Sequence, residues 1–581
     1  MRVSSSPTLS AAPRAVPTGP ERWEPARPGG RLALHVAGLA LLLLVLVPLL
    51  GGDGLFSADE GAAAAQTRLL SEDRGWGLDH PLPALDPEGE NFALEFSSPV
   101  PRADGGLAAA PFAKHPAYPV LLTPFNDLGG LRAMTLTSVL GTIAAAAAAG
   151  LLVRRLAPGL EWLAVWATGL ATPLFVDSWI LIAHTLGAAL VAAATLGVIR
   201  ADETRRPAAL VTAGVAMVGA VLLRNEATLF GVALAVTAVT VGVWGRRRWL
   251  AVGGGVVLAA TVIGYLVDGV LADLVTGGDS GTFQAGVGGT GFLEGRILGA
   301  LLTLLTPSYG ALGLPDMLLV LSVGALAGAV VVARRRPEDI AGIRLFAAVA
   351  ALAAVGRAFL VPDVVPGLFV AAPALTAGLA AVSRRSLETT TARVLAGTSA
   401  LFFGAVLATQ YASGGSGEWG GRYFALALPL LVPLAIAALR DVATGLRAEA
   451  LRPLVAAFLV VALASALMGG RALRGAEERN GAVVDEIAEA AAELEDPVVV
   501  STAGAAPRFA WEQVVAGGDW LLLPIEQLAG RLTELRADGR DLVLATSEPD
   551  EARPLTAGYT TISDEPIALG SAWTVIGLRS P

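Results

Sequence analysis

The chain contains no cysteine. Disulfide bonding, thiolate catalysis and cysteine-ligated zinc are therefore excluded, and the redox compartment leaves no mark on the sequence. Lysine is almost as scarce: Lys114 is the only one, and every other basic residue apart from four histidines is an arginine. Charge is sparse, at 16% of residues, and the net charge of −9 gives no basic surface for nucleic acid. There is no solenoid repeat and no matched pair of interrupted helices of the inverted-repeat transporter kind, and the part after residue 470 has no glycine-rich phosphate loop. His35 and His80 carry no chemical signal. No His/Asp/Glu cluster has convincing metal-ligand spacing.

What the chain has is hydrocarbon. Of its 581 residues 54% are hydrophobic, and mean hydropathy is +0.63. Its Leu, Val and Ala runs of roughly 18–22 residues are each long enough to cross a ~30 Å core. The composition is that of an all-α polytopic membrane protein. The first run, Leu32 to Leu50, follows a Pro-, Ser- and Arg-rich tail (1–30) that reads as disordered. It is read as a retained helix and not a cleaved signal. Twelve further spans are expected, near 132–153, 160–176, 179–199, 207–223, 226–244, 250–268, 316–333, 342–361, 364–383, 394–411, 423–439 and 453–470, about thirteen in all. Arginine clusters fall at every second junction: Arg154-Arg155, Arg200/Arg205/Arg206, Arg246-Arg247-Arg248, Arg334-Arg335-Arg336, Arg384-Arg385 and Arg440/Arg447/Arg452. By the positive-inside rule these junctions and the N-terminus are cytoplasmic, and the C-terminus lies outside.

The spans make up a membrane domain over 31–470. It carries a large outer loop at 51–130 and a second outer loop at 271–315, and an extracytoplasmic α/β domain follows at 471–581. In the first loop Asp and Glu outnumber Lys and Arg threefold. A helix is expected from Asp59 to Leu70, and a short apolar piece at Val120-Leu121-Leu122 is too short to span and lies on the outer surface. Another interfacial helix is expected within Glu294 to Leu314. In the last domain a charged helix candidate runs from Arg471 to Asp496. Strands are expected at Val498-Val499-Val500, Trp520 to Leu523, Leu542 to Ala545 and Ala572 to Leu578, with a helix over Ile525 to Arg536.

The candidate chemistry gathers at outer helix ends. Asp59-Glu60 stands where the first span meets water. There a carboxylate is partly desolvated and can serve as a general base, while the second orients the acceptor or binds a divalent metal. The bland alternative is a pair of acids that solvates a loop and caps a helix. Lys114, the lone lysine, offers a compact point charge for phosphate where arginine would offer a rigid fork. His115 beside it could contact the same group. Arg224, Arg296, Arg357 and Arg422 lie at outer ends against the positive-inside bias, and four such residues suggest that at least one binds a phosphate. Tyr118, Asp177 and His184 are cavity candidates.

Four features together resemble the GT-C class of integral-membrane glycosyltransferases, the protein O-mannosyltransferase and aminoarabinose-transferase-like members above all. They are Asp59-Glu60 just after the first span, the large first outer loop, Lys114-His115-Pro116 with Tyr118-Pro119 before the second span, and the late Gly420-Gly421-Arg422-Tyr423 with Pro429. They cover about residues 31–440. The resemblance implies a polyprenyl-phosphate-linked sugar donor, an envelope acceptor on the outer face, Asp59 as catalytic base and Lys114 on the lipid phosphate. In the family's Lys-Pro motif nothing separates the two residues, whereas here His115 does. An oligosaccharide ligase would use the same cavity with a longer donor. A transporter or flippase of lipid-linked precursors would carry its charges near mid-membrane. A mere membrane scaffold would leave Lys114 and the outer arginines without a role.

Overall fold

The computed structural model describes residues 29–50, 54–94, 100–101, 106–112, 114–277, 292–305, 314–360, 366–409, 419–567 and 573–581. The first helix, α1 (Gly29–Leu50), leads into the short α2 (Ala58–Ser71). Three brief strands follow in the outer loop, β1 (Leu78–Asp79), β2 (Val100–Pro101) and β3 (Leu107–Ala109), paired antiparallel in the order β1-β3-β2. Helix α3 (Ala117–Leu156) is interrupted at Gly129-Gly130. Gly130 has φ 61° and ψ −147°, a region open essentially to glycine alone. The break separates a piece of about three turns, on which Val120 and Leu121 are exposed and Leu122 buried, from the apolar remainder.

The helices that follow are α4 (Glu161–Leu170), α5 (Leu174–Asp177), α6 (His184–Thr204), α7 (Pro207–Leu223), α8 (Glu226–Trp244) and α9 (Arg248–Thr276). Then come α10 (Phe292–Leu304), α11 (Leu314–Arg335), α12 (Ile340–Ala358), α13 (Leu368–Ala371), α14 (Pro373–Ala380) and α15 (Thr390–Thr409). A 3-10 turn, Arg422–Ala427, opens directly into α16 (Leu428–Ala443), and α17 (Ala448–Ala492) completes the bundle. Among the described residues ten helices are long and apolar enough to cross a membrane, and Pro207–Leu223 is apolar but shorter. The architecture is that of a polytopic integral membrane protein.

Two expected spans take another form. Residues 160–176 divide into α4 and α5 at Pro173, and 364–383 divide into α13 and α14 at Pro373. Proline supplies no amide hydrogen to the ladder and ends the preceding helix, a break that a hydropathy window does not register. The span expected at 179–199 begins only at His184, because Ser178 to Ala183 is irregular. That irregular backbone is buried, so its polar groups need partners. The Ser138 hydroxyl contacts the carbonyls of Ile180 (2.7 Å) and Ile182 (3.2 Å), and Glu60 accepts from the Leu181 amide at 2.7 Å.

Helix α17 has 45 residues, about 68 Å of helix, and runs unbroken from its apolar half through residue 470 into the charged half. It delivers the chain to β4 (Val498–Ser501), β5 (Trp520–Leu522), β6 (Leu542–Thr546), β7 (Thr560–Pro566) and β8 (Thr574–Arg579). Their order is β5-β4-β6-β8-β7. β4 is parallel to both β5 and β6, and β8 is antiparallel to β6 and β7. Helices α18 (Ala505–Phe509) and α19 (Trp511–Val515) cover one side, and α20 (Ile525–Ala537) packs Leu528, Leu532 and Leu535 against Val498, Val500 and Leu544. β7 went unread in the sequence because it is a polar edge strand, Thr-Thr-Ile-Ser-Asp-Glu-Pro, without an apolar alternation. The outer loop is tied to this domain, since the Leu522 amide donates to the Asn91 carbonyl at 3.0 Å and Arg531 to that of Leu85.

Candidate active site

The site is built on the first turn of α2. Ser57 occupies the N-cap with extended backbone, and Ser-x-x-Glu is a capping-box sequence. Glu60 turns back so that one oxygen accepts from the Ser57 amide at 2.7 Å. Its other oxygen holds the Leu181 amide. Glu60 is 3% exposed and is occupied with backbone on both sides. Asp59, one residue earlier, points elsewhere.

Asp59 Oδ2 lies 3.1 Å from Arg422 Nη1 and 3.4 Å from Lys114 Nζ. The three residues come from α2, from the loop before α3, and from the 3-10 turn before α16. Gly421 places Arg422 with φ 64°, and a Cβ there would overlap the Thr303 carbonyl oxygen of α10. Lys114 also lies over the Phe112 ring at 5.7 Å and Arg422 over Tyr423 at 5.1 Å, contacts that seat both cations on aromatic faces.

Burial by itself would push the Asp59 carboxyl up. The charges of Lys114, Arg422 and Arg508 outweigh it and bring Asp59 from 3.8 down to about 2. For Lys114 burial dominates and pushes the ammonium down from its ordinary 10.5. Arg422 and Arg224 add to that, and Asp59 opposes it. The site is thus a firmly ionised carboxylate held among cations.

The other sequence candidates divide by place. Arg224, in the turn between α7 and α8, makes a two-pronged pair with Glu226 at 3.0 and 2.9 Å and acts electrostatically on Lys114. His184 is fully buried at the start of α6, within electrostatic reach of Arg224, Arg422 and Lys114. Tyr118 is buried beside Phe112, with ring centroids 6.2 Å apart. His115, at φ 60°, sends its imidazole to Asp268 of α9 at 3.0 Å. Asp177 is buried at the end of α5. Arg357 is buried in the last turn of α12, where it donates to the Leu360 carbonyl at 3.3 Å, and Arg296 is half-buried on α10. Neither is among the cations that act most strongly on Asp59.

Three participants escaped the sequence reading. Glu226 and Asp268 look there like ordinary helix-end acids, and Arg508 sits in a domain without a recognisable motif. Among the described residues no group of three or more His, Asp or Glu side chains could hold a metal ion. A cavity of about 880 Å³ lies beside the approach to α2, lined by Leu55, Arg132, Arg474, Asn480, Phe509 and Trp511 among others.

No protein-family model matches the chain, and a search of curated proteins finds no match. Among solved structures, the crystal structure of ArnT from Cupriavidus metallidurans in the apo state matches with a TM-score of 0.51 at 14% identity, over 94% of this chain and 98% of that one. ArnT bound to undecaprenyl phosphate gives a TM-score of 0.49 at 16% identity, with the same coverages. Over that 94% of its length the chain shares the GT-C-like fold of ArnT, in line with the family resemblance drawn from its sequence.

Proposed function

We propose that this protein is a membrane glycosyltransferase that moves a sugar from a polyprenyl-phosphate-linked donor to a hydroxyl of an envelope acceptor. The observation that carries the reading is the Asp59–Lys114–Arg422 cluster: one ionised carboxylate shared by two cations at the end of the first membrane helix. ArnT, whose fold the chain shares, is known with undecaprenyl phosphate bound, which supports a donor of that class. The arginine clusters at alternate junctions support a plasma-membrane protein with a cytoplasmic N-terminus and with α2 and the C-terminal domain outside.

In the donor-free state Asp59 is a poor base, because Lys114 and Arg422 stabilise its anion. The donor's phosphodiester carries one negative charge and two free oxygens, as the carboxylate does, and shares both cations with it; the phosphomonoester that forms as the sugar–oxygen bond breaks carries more charge and more acceptor oxygens and is the better ligand for both. As it draws them off, Asp59 recovers basicity where a hydroxyl must lose its proton. Asp59 takes that proton as the acceptor oxygen bonds to the anomeric carbon. The bond from that carbon to the phosphate oxygen breaks, and polyprenyl phosphate leaves with the electron pair, its charge met by Lys114 and Arg422. A single displacement inverts the anomeric centre. Glu60 holds α2 in place and takes no proton.

The test is the purified protein with a panel of radiolabelled polyprenyl-phosphate sugars, scored for release of free polyprenyl phosphate. Release that requires an acceptor and is abolished in Asp59→Asn supports the reading. Donor movement across a vesicle bilayer without release would favour a flippase.

A further inference from the structure

The C-terminal domain makes contact at the most sensitive point of α2. Gly61 lies two residues after Asp59, and a Cβ added there would overlap the Arg508 carbonyl oxygen, so α18 is seated directly on this turn. Asn480 of α17 donates to the carbonyls of Leu55 (2.8 Å) and Phe56 (3.2 Å), which fixes the segment entering α2. At the far end of α2, Arg74 donates to the Val515 carbonyl of α19 at 2.8 Å. Arg508 is half-buried in this contact, and its guanidinium and the Asp59 carboxylate each act on the other's charge.

We propose that the C-terminal domain is a working part of the site, and that Arg508 is the cation that stays with Asp59 while the donor phosphate engages Lys114 and Arg422. The inference rests on Asp59 being the base. Its ground is the difference in tethering. Lys114 and Arg422 come from turns before α3 and α16, whereas Arg508 comes from α18, whose Ala506 shares one buried core with Ala62, Ala65 and Leu69 of α2. A base stripped of every cation beside an incoming phosphate would take up a proton from water before the acceptor arrived, since the like charge of the phosphate favours its neutral form. A retained guanidinium keeps the carboxylate ionised and oriented. Arg508 is in this sense a positioning residue. The charged groups around Asp59 are Lys114, Arg422 and Arg508, with Glu60 on its own helix and the Arg224–Glu226 pair and His184 lying beyond Lys114.

The experiment measures kcat against pH, donor KM and polyprenyl-phosphate binding for the full-length protein and for Arg508→Gln, Arg508→Lys and Arg74→Met. Without the Arg508 charge Asp59 holds its proton more tightly, so the acidic limb of kcat moves to higher pH. Turnover on the acidic limb then falls more than at pH 8, with polyprenyl-phosphate affinity retained. Arg508→Lys restores the limb. Arg74→Met loosens the same docking contact without altering charge at Asp59, and it lowers thermal stability while leaving the limb in place. If Arg508→Gln loses thermal stability but its limb does not move, Arg508 is only a docking residue and the inference fails. If Asp59→Asn is fully active, the reading of the base fails and takes this inference with it. An inactive Asp59→Asn beside an unmoved Arg508→Gln profile overturns this inference alone.

Discussion

Arg422 donates to Asp59 across 3.1 Å, although 363 residues separate them in the chain. The contact joins the first turn after the first membrane helix to the turn that opens α16. It also places a phosphate-binding type of side chain on the group proposed to take the acceptor's proton. In the proposed mechanism a donor phosphate would compete with the Asp59 carboxylate for this guanidinium, and for Lys114 in the same way. Binding of the donor and readiness of the base would then be coupled through two ion pairs.

Asp59→Asn tests that coupling. The amide has the shape of the carboxylate but cannot accept the proton, and a positioned base commonly contributes about 10²–10⁴-fold. Turnover is expected to fall by that order. Polyprenyl-phosphate binding at neutral pH is expected to tighten, because the competing anion is gone. Binding measured by calorimetry in detergent decides the second point, and weaker binding would show that Asp59 helps to hold the phosphate instead of competing with it.

Much of this arrangement was legible in the sequence, and for local reasons. Asp59 stands at a hydrocarbon boundary, Lys114 is unique in the chain, and Arg422 follows a glycine pair; each can be singled out without knowledge of its neighbours. What stayed hidden depends on distant backbone. Nothing near Glu60 shows that one of its oxygens serves the Leu181 amide, and nothing near Arg508 shows that its helix is seated on Gly61. The splitting of 160–176 and 364–383 was hidden for another reason. Hydropathy sums transfer free energy over a window, and one proline among leucines barely changes the sum while it ends the helix.

Glu60→Gln separates a holding role from a catalytic one. A glutamine offers a single acceptor oxygen, so its NH₂ would face either the Ser57 or the Leu181 amide, both now served by the carboxylate. Leaving one buried donor unmet costs about 1–3 kcal/mol. The variant should melt earlier and lose activity in proportion to the folded fraction. The folded enzyme should keep the pH profile of the unaltered protein. Normal stability together with abolished turnover would instead make Glu60 a participant in the chemistry.

Lys114→Ala removes a charged donor from the proposed phosphate site. Charge-assisted hydrogen bonds contribute about 1.5–3 kcal/mol, so donor KM should rise roughly 10- to 100-fold. Lys114→Arg should recover only part of this, because the guanidinium is a wider planar group where an ammonium now lies 3.4 Å from Asp59 and over Phe112. Full recovery with arginine would show that the chain's single lysine holds no special place.

The pH dependence of donor binding follows from the same residue. Burial, then the charges of Arg422 and Arg224, push the Lys114 ammonium below its ordinary 10.5, while Asp59 pushes the other way. The protonated form is the one that binds phosphate. Affinity should therefore be complete at neutral pH and decline on the alkaline side at a pH lower than an exposed lysine would give. In Asp59→Asn the supporting anion is missing, so the ammonium gives up its proton more readily and the decline should move to still lower pH. In Lys114→Arg the decline should vanish from the accessible range, since guanidinium stays charged to pH above about 12. Polyprenyl-phosphate affinity, measured between pH 7 and pH 11 for the three proteins, distinguishes these cases. An alkaline limb that persists unmoved in Lys114→Arg would assign the titrating group to a residue other than Lys114, and the phosphate site would have to be sought around Arg224 and Arg422 alone.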